Sequence, residues 1–200
     1  MIINDEFGNK IDTNILEIQE QQLAEKYIEK NDIVLELGAR YGSVSITINK
    51  KLNCKTKQVV VEPDSRVWNA LEENKLKNGC QFEIVKGFIS EKTLGLTNLN
   101  AWHGGYGATY TIEDKSEIPS YTLNSIEIKY GLKFNVLVAD CEGFLEIFLD
   151  ENPKLYDDLR MIIFEADYPE KCNYEKIINN LRLNNFEETE GGFQNVWIRK

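Results

Sequence analysis

The chain has 200 residues, enough for one domain of ordinary size and too few for two full ones. Its 33 Asp and Glu against 23 Lys and Arg leave a formal charge of −10, and no basic stripe is present, which excludes a general phosphate-backbone binder and disfavours nucleic acid as a partner. A single histidine, His103, excludes a His-rich zinc site and makes any histidine-centred triad depend on one residue.

Cys54, Cys80, Cys141 and Cys172 form no C-x-x-C pair, so neither a zinc ribbon nor a thioredoxin motif is indicated. The first ten residues lack a basic region followed by an apolar run, and the longest apolar stretches are far short of a membrane span. A cytoplasmic protein with reduced thiols and no membrane partner is therefore expected. The sequence does not specify an oligomeric state.

In chain order, residues 1–30 read as an N-terminal helical segment. Positions 14–29 place Ile15, Ile18, Leu23 and Ile28 mainly on one side, with Asn14 as the cap. Residues 33–37 (IVLEL) are a strand candidate running into glycine. Residues 43–52 follow with a weak helical pattern, apolar at 44, 46, 48 and 52. A second strand, 58–62 (QVVVE), is stopped by Pro63, and Asp64 or Ser65 caps a helix through Leu76. Residues 82–86, 134–139 and 160–165 make three more strands, with short helices at 122–130 and 144–149. A clearer amphipathic helix spans 174–183. Near-continuous β-branched runs suit parallel strands covered on both faces. Residues 186–189 and 193–199 flank Gly191-Gly192 as a β-hairpin. The reading is one α/β domain, 1–200, with a mostly parallel sheet closed by an antiparallel pair.

Residues 91–120 resist assignment. They contain HGGYG and few long apolar runs, and read as a long loop or a loop with a small hairpin. Loops of that length inside compact domains are usually functional, so this stretch is expected to be an insert or lid near an acceptor site, shaped by Trp102, His103, Tyr106 and Tyr110.

Chemistry concentrates at the strand ends. The first strand runs into E-L-G-A-R-Y-G, residues 36–42. Glycine lets backbone approach a ligand there, and the following helix offers free N–H groups. The dinucleotide pattern G-x-G-x-x-G fails because Arg40 stands where its second glycine belongs. The acid-x-Gly-x-x-x-Gly arrangement instead suits a ligand carrying an ammonium and a sulfonium. Glu36, Gly38, Ala39, Tyr41 and Gly42 are its candidate contacts. Glu62 ends the second strand 26 residues after Glu36, as a ribose-binding acid does at a spacing of about 20 residues, and Pro63 follows it. Gly87 and Phe88, after the third strand, are candidates to lie on an adenine ring. The fourth and fifth strands end in A-D-C-E-G and F-E-A-D, putting Asp140, Glu142, Glu165 and Asp167 at carboxyl ends of parallel strands, where ligands bind.

With these residues in place, the chain resembles the FkbM-type methyltransferases, a class I S-adenosylmethionine-dependent family. The resemblance rests on LELGARYG, VVEPD, the SYTLNSI that precedes VLVADCEGFLEIFL, and IIFE, and it covers roughly residues 32–168. The family's Asp-x-Glu-Gly and following Glu match Asp140, Glu142, Gly143 and Glu165. Two positions depart from its pattern: Arg40 replaces a common Asn, and Val138-Ala139 replaces a Lys-Ile lead-in. The resemblance implies a Rossmann-like class I methyltransferase fold with a mostly parallel seven-stranded sheet, helices on both faces and an antiparallel C-terminal hairpin. It also implies S-adenosylmethionine as cofactor, contacted by Asp140 among others, and O-methylation of a hydroxyl on a sugar or other small molecule. The partner would then be a small-molecule or glycan acceptor.

A base must remove one proton from the acceptor. Asp140, His103 and Glu165 are the candidate catalytic residues, with Asp140 first and His103 second. Some class I O-methyltransferases hold a divalent ion where Asp140, Glu165 and Asp167 fall here, but the residues commit to no metal ligand. A non-catalytic binding module of the same fold remains the alternative reading, favoured by Arg40 and by the lack of a strong general base.

Overall fold

The computed structural model describes residues 1–100 and 106–200. Its elements in chain order are α1 (Ile18–Tyr27), β1 (Val34–Leu37), α2 (Ser43–Lys51), β2 (Gln58–Glu62), α3 (Trp68–Lys77), β3 (Glu83–Lys86), β4 (Phe88–Ile89), β5 (Leu94–Thr97), β6 (Thr109–Ile112), β7 (Ser120–Tyr121), α4 (Leu123–Tyr130), β8 (Val136–Ala139), α5 (Leu145–Glu151), α6 (Leu155–Asp158), β9 (Met161–Glu165), α7 (Tyr174–Leu183), β10 (Phe186–Glu190) and β11 (Gln194–Arg199). Among the described residues, no helix is long and apolar enough to cross a membrane.

The main sheet has seven strands in the order β10-β11-β9-β8-β1-β2-β3. Strands β3, β2, β1, β8 and β9 are mutually parallel. β11 inserts antiparallel between β9 and β10, so the C-terminal hairpin closes the sheet as the sequence reading expects. The chain leaves β1 toward β2 and β3 on one side and later returns to place β8 and β9 on the other, so the strand order reverses between β1 and β8. This opens the crevice at their carboxyl ends where α/β folds bind ligands.

Side chains alternate between the two faces with the period of two that a strand imposes. Leu35, Leu37, Val59, Val61, Leu137, Ala139, Ile162 and Phe164 enter the larger core, which also takes Ile126, Phe148 and Leu181 from the helices. Val34, Val136, Val138, Met161 and Ile163 pack on the opposite side with Ala24 and Ile28 from α1 and Val44 and Ile48 from α2. Continuous apolar runs follow directly from strands buried on both faces.

The weak apolar pattern of α2 has a physical cause: the helix is buried nearly all round, from Ser43 to Asn49. Its polar residues bond inside the protein. The Ser45 hydroxyl donates to Glu36 Oε1 at 2.7 Å, and Asn49 Nδ2 donates to Gln58 Oε1 at 2.9 Å. Two helix starts differ from the sequence reading. Asn14 caps nothing; its amide turns back to Asp12, and α1 begins only at Ile18, after Glu17 in a left-handed conformation. Neither Asp64 nor Ser65 caps α3, because Asp64 is engaged with Arg66 and Arg40 and the helix begins at Trp68. Thr122, by contrast, caps α4 by accepting the Ser125 N–H at 3.2 Å. Within 91–120, β5 and β6 form an antiparallel hairpin, and β7 pairs with β4 in a separate short sheet.

Candidate functional site

A cavity lies at the carboxyl ends of β1, β2 and β8. Its walls include Gly38 and Arg40 after β1, Glu62, Pro63 and Asp64 after β2, Phe88 and Ile89 of β4, and Asp140, Cys141 and Glu142 after β8. Gly38 has φ +85°, and a Cβ there would overlap the backbone carbonyl oxygen of Asp140, so only glycine allows these two strand ends to meet. The Glu62 carboxylate is fixed at both oxygens, accepting N–H groups from Arg40 and Asp64 at 2.7 Å each. Apolar walls come from Val61, Leu96, Phe88 and Phe144, the last two meeting edge to face at 5.8 Å.

The sequence-predicted cofactor residues divide. Gly38, Glu62, Pro63, Phe88 and Asp140 line this cavity. Glu36 does not. It is 2% exposed, accepts from Ser45 Oγ and from Gln58 Nε2 (3.1 Å), and borders only a smaller recess beneath α2. The register explains it: Glu36 lies opposite Val60, two rungs inside the sheet, whereas Glu62 lies one residue beyond the pair Leu37–Val61, at the crevice. Ala39 is buried in a third core cluster, and Gly42 starts α2 with φ +87°. Gly87 also lies outside the cavity; its φ of +142° admits the carbonyl of Pro119, which a Cβ would strike. Tyr41 faces a neighbouring recess and bonds through its hydroxyl to Glu6. Arg40 pairs with Asp64 Oδ2 at 2.9 Å, and its guanidinium lies 5.0 Å from the Tyr41 ring centre and 4.9 Å from that of Tyr106.

That neighbouring recess is open, about 2080 Å³, and bounded by the N-terminal segment, Asp140, Glu142, Glu165, Asp167, Tyr168 and Phe193. Glu17, Tyr106, Asp140 and Glu142 line both spaces and so mark their junction. Glu17 carries no local signal of function, since it reads as one more polar residue of a surface helix. Its left-handed backbone turns the carboxylate inward to the Ser43 hydroxyl at the start of α2. Of the aromatic residues expected in the 91–120 segment, Tyr106 and Tyr110 line the cavity, while Trp102 and His103 lie outside the described residues.

The junction acids do not behave as ordinary carboxylates. Burial first, then the charge of Glu165, pushes Asp140 well above the usual range. Burial, with Asp167 next to it, lifts Glu142 to about 9, and burial with Glu20 lifts Glu165 to about 8. Glu17 and Glu62 are each raised to about 7, again chiefly by burial. One oxygen each from Asp140, Glu165 and Asp167 lie within 4.8 Å of one another, so the three acids that the sequence placed at two strand ends do converge. Such a group disfavours full ionisation unless a cation enters.

No protein-family model matches the chain, and no curated protein matches it in sequence. Solved structures do resemble it. The precorrin-6y C5,15-methyltransferase from Geobacter metallireducens superposes with a TM-score of 0.55 at 12% identity, over 90% of this chain and 87% of that one. A precorrin 8W decarboxylase from Methanobacterium thermoautotrophicum gives 0.52 at 12% identity, over 92% and 88%. A protein of the NADB-Rossmann superfamily from Streptococcus agalactiae gives 0.55 at 10% identity, over 90% and 68%. At these identities the likeness establishes the Rossmann-like fold shared with methyltransferases.

Proposed function

We propose that the protein is an S-adenosylmethionine-dependent methyltransferase that methylates a hydroxyl oxygen of a sugar or other small molecule. The observation that carries this reading is the pairing of two spaces. One is a cavity with a strand-end acid and apolar walls; the other is an open recess; they meet at Asp140 and Glu142.

The donor set suits the cofactor. Glu62 stands where a carboxylate accepts the two ribose hydroxyls, and the apolar walls around Phe88 and Ile89 suit an adenine ring. Glu17, Asp140 and Glu142 face the junction where an ammonium and a sulfonium would sit, and a cation there favours their ionised forms. When bound, the cofactor supplies a methyl group activated by positive sulfur. The chain aligns the acceptor oxygen with that group and excludes water from its apolar walls. Asp140, which lines both spaces, takes the hydroxyl proton.

Titration calorimetry with S-adenosylmethionine tests the reading. Heat and a thermal shift are expected for the native chain and for Asp140→Asn, with turnover lost in the variant alone. No binding at millimolar cofactor would sink the enzyme reading and favour a non-catalytic module.

A further inference from the structure

Nine of the residues bounding the open recess are acidic, and none is Lys or Arg. Among the described residues, none of those nine acids forms an ion pair with a lysine or arginine. Elsewhere the chain pairs its acids freely, as Asp64 does with Arg40 and Arg66 and Asp32 does with Arg160. Asp167 adds an independent feature. It is 8% exposed, and its Oδ1 accepts from Gly143 N (3.1 Å) and Tyr174 Oη (2.9 Å), while its buried Oδ2 has no hydrogen-bond partner. A buried carboxylate oxygen without an N–H donor, on a side chain beside the Glu142 carboxyl, is costly to fold and marks a place that a ligand's N–H completes.

The geometry points to an acceptor that carries protonated amines, an amino sugar or comparable polyamine-bearing small molecule, with its ammonium groups on the acids of the open recess and its hydroxyl beside Asp140. This rests on the methyltransferase reading for the hydroxyl; the amine recognition stands on the recess alone. The acids are spread from Asp5 ahead of α1 to Glu170 beyond β9, and exposed apolar residues lie among them, with Phe7 at 81%, Ile15 at 76% and Phe193 at 58% exposure. A single metal ion engages only the three acids that converge. A carbon skeleton bearing several ammonium groups engages the whole wall and covers the apolar positions as well.

Calorimetry on the full chain decides it, with neamine, a pseudodisaccharide bearing four amines, compared with the neutral disaccharide maltose. Each is titrated with and without S-adenosylhomocysteine. Neamine is expected to bind at least about tenfold more tightly than maltose and to weaken as salt rises. Asp167→Asn, which keeps the Oδ1 acceptor, should lower neamine affinity about tenfold and leave S-adenosylhomocysteine affinity unchanged. Should that variant fail to fold, Glu170→Gln, at an exposed position, reads the same effect. Neamine binding without S-adenosylhomocysteine binding would support amine recognition and overturn the methyltransferase reading. Equal affinity for maltose, no binding of neamine, or a Mg²⁺ titration that saturates the three converging acids and that neamine does not displace would each overturn the amine assignment.

Discussion

Glu62 accepts the backbone N–H of Arg40, so the acid that ends β2 and the turn that follows β1 are held as one unit. The second oxygen of Glu62 accepts from Asp64, whose own side chain holds the Arg40 guanidinium. Arg40 therefore helps build the cavity wall, and its charge is balanced by Asp64.

Glu62→Gln is expected to weaken S-adenosylmethionine binding about 10- to 100-fold. An amide can satisfy only one of the two N–H groups, and a hydrogen bond to a charged acceptor contributes roughly 1.5–3 kcal/mol. Calorimetry on a variant with a native-like melting temperature checks it. Unchanged affinity would remove Glu62 from the ligand site.

Glu36→Ala separates a structural acid from a binding one. It removes the acceptor of the Ser45 hydroxyl and one of the two acceptors of the Gln58 amide, which keeps its bond to the Ser45 carbonyl, at about 1–3 kcal/mol for each donor left unsatisfied. The melting temperature should fall while cofactor affinity stays within about threefold. A loss of affinity like that of Glu62→Gln would put Glu36 in the site after all.

Gly38→Ala should destabilise on the order of 3–5 kcal/mol in urea denaturation, because the backbone is left-handed and the new methyl group meets the Asp140 carbonyl. Gly131→Ala is the control. It shares the left-handed backbone, at φ +65°, but has open space around it, and should cost only about 1 kcal/mol.

Stability should fall as pH rises. Glu17 and Glu62 at about 7, Glu36 and Glu165 at about 8, and Glu142 at about 9 all bind protons more tightly folded than in the unfolded chain, where the ordinary value is 4.5. Their contribution is fully present below pH 4.5 and is lost as pH climbs through 7 to 9. Scanning calorimetry should show the melting temperature dropping by about 4 °C or more between pH 5 and pH 9. A flat or rising profile would mean these acids are far better solvated than their burial implies.

Most of the fold was legible in the chain itself. Strands such as VLEL and VVVE declare themselves because burial on both faces demands continuous apolar runs, and the Gly191-Gly192 turn announces the last hairpin. The strand-end acids were legible for the same reason, since a charged residue at the end of such a run has to leave the core. What the sequence could not decide was depth and neighbourhood. Glu36 and Glu62 look alike in one dimension, yet two rungs of register put the first under α2 and the second at the crevice. Helix α2 hid its burial because its polar residues pair with β1 and β2, and Glu17 reaches the junction only through a backbone turn that no local pattern encodes. Local order follows from each residue's own preference for water or for its neighbours along the chain. The convergence of Glu17, Asp140, Glu142 and Glu165 on one recess depends on contacts between distant segments, and only the tertiary structure supplies those.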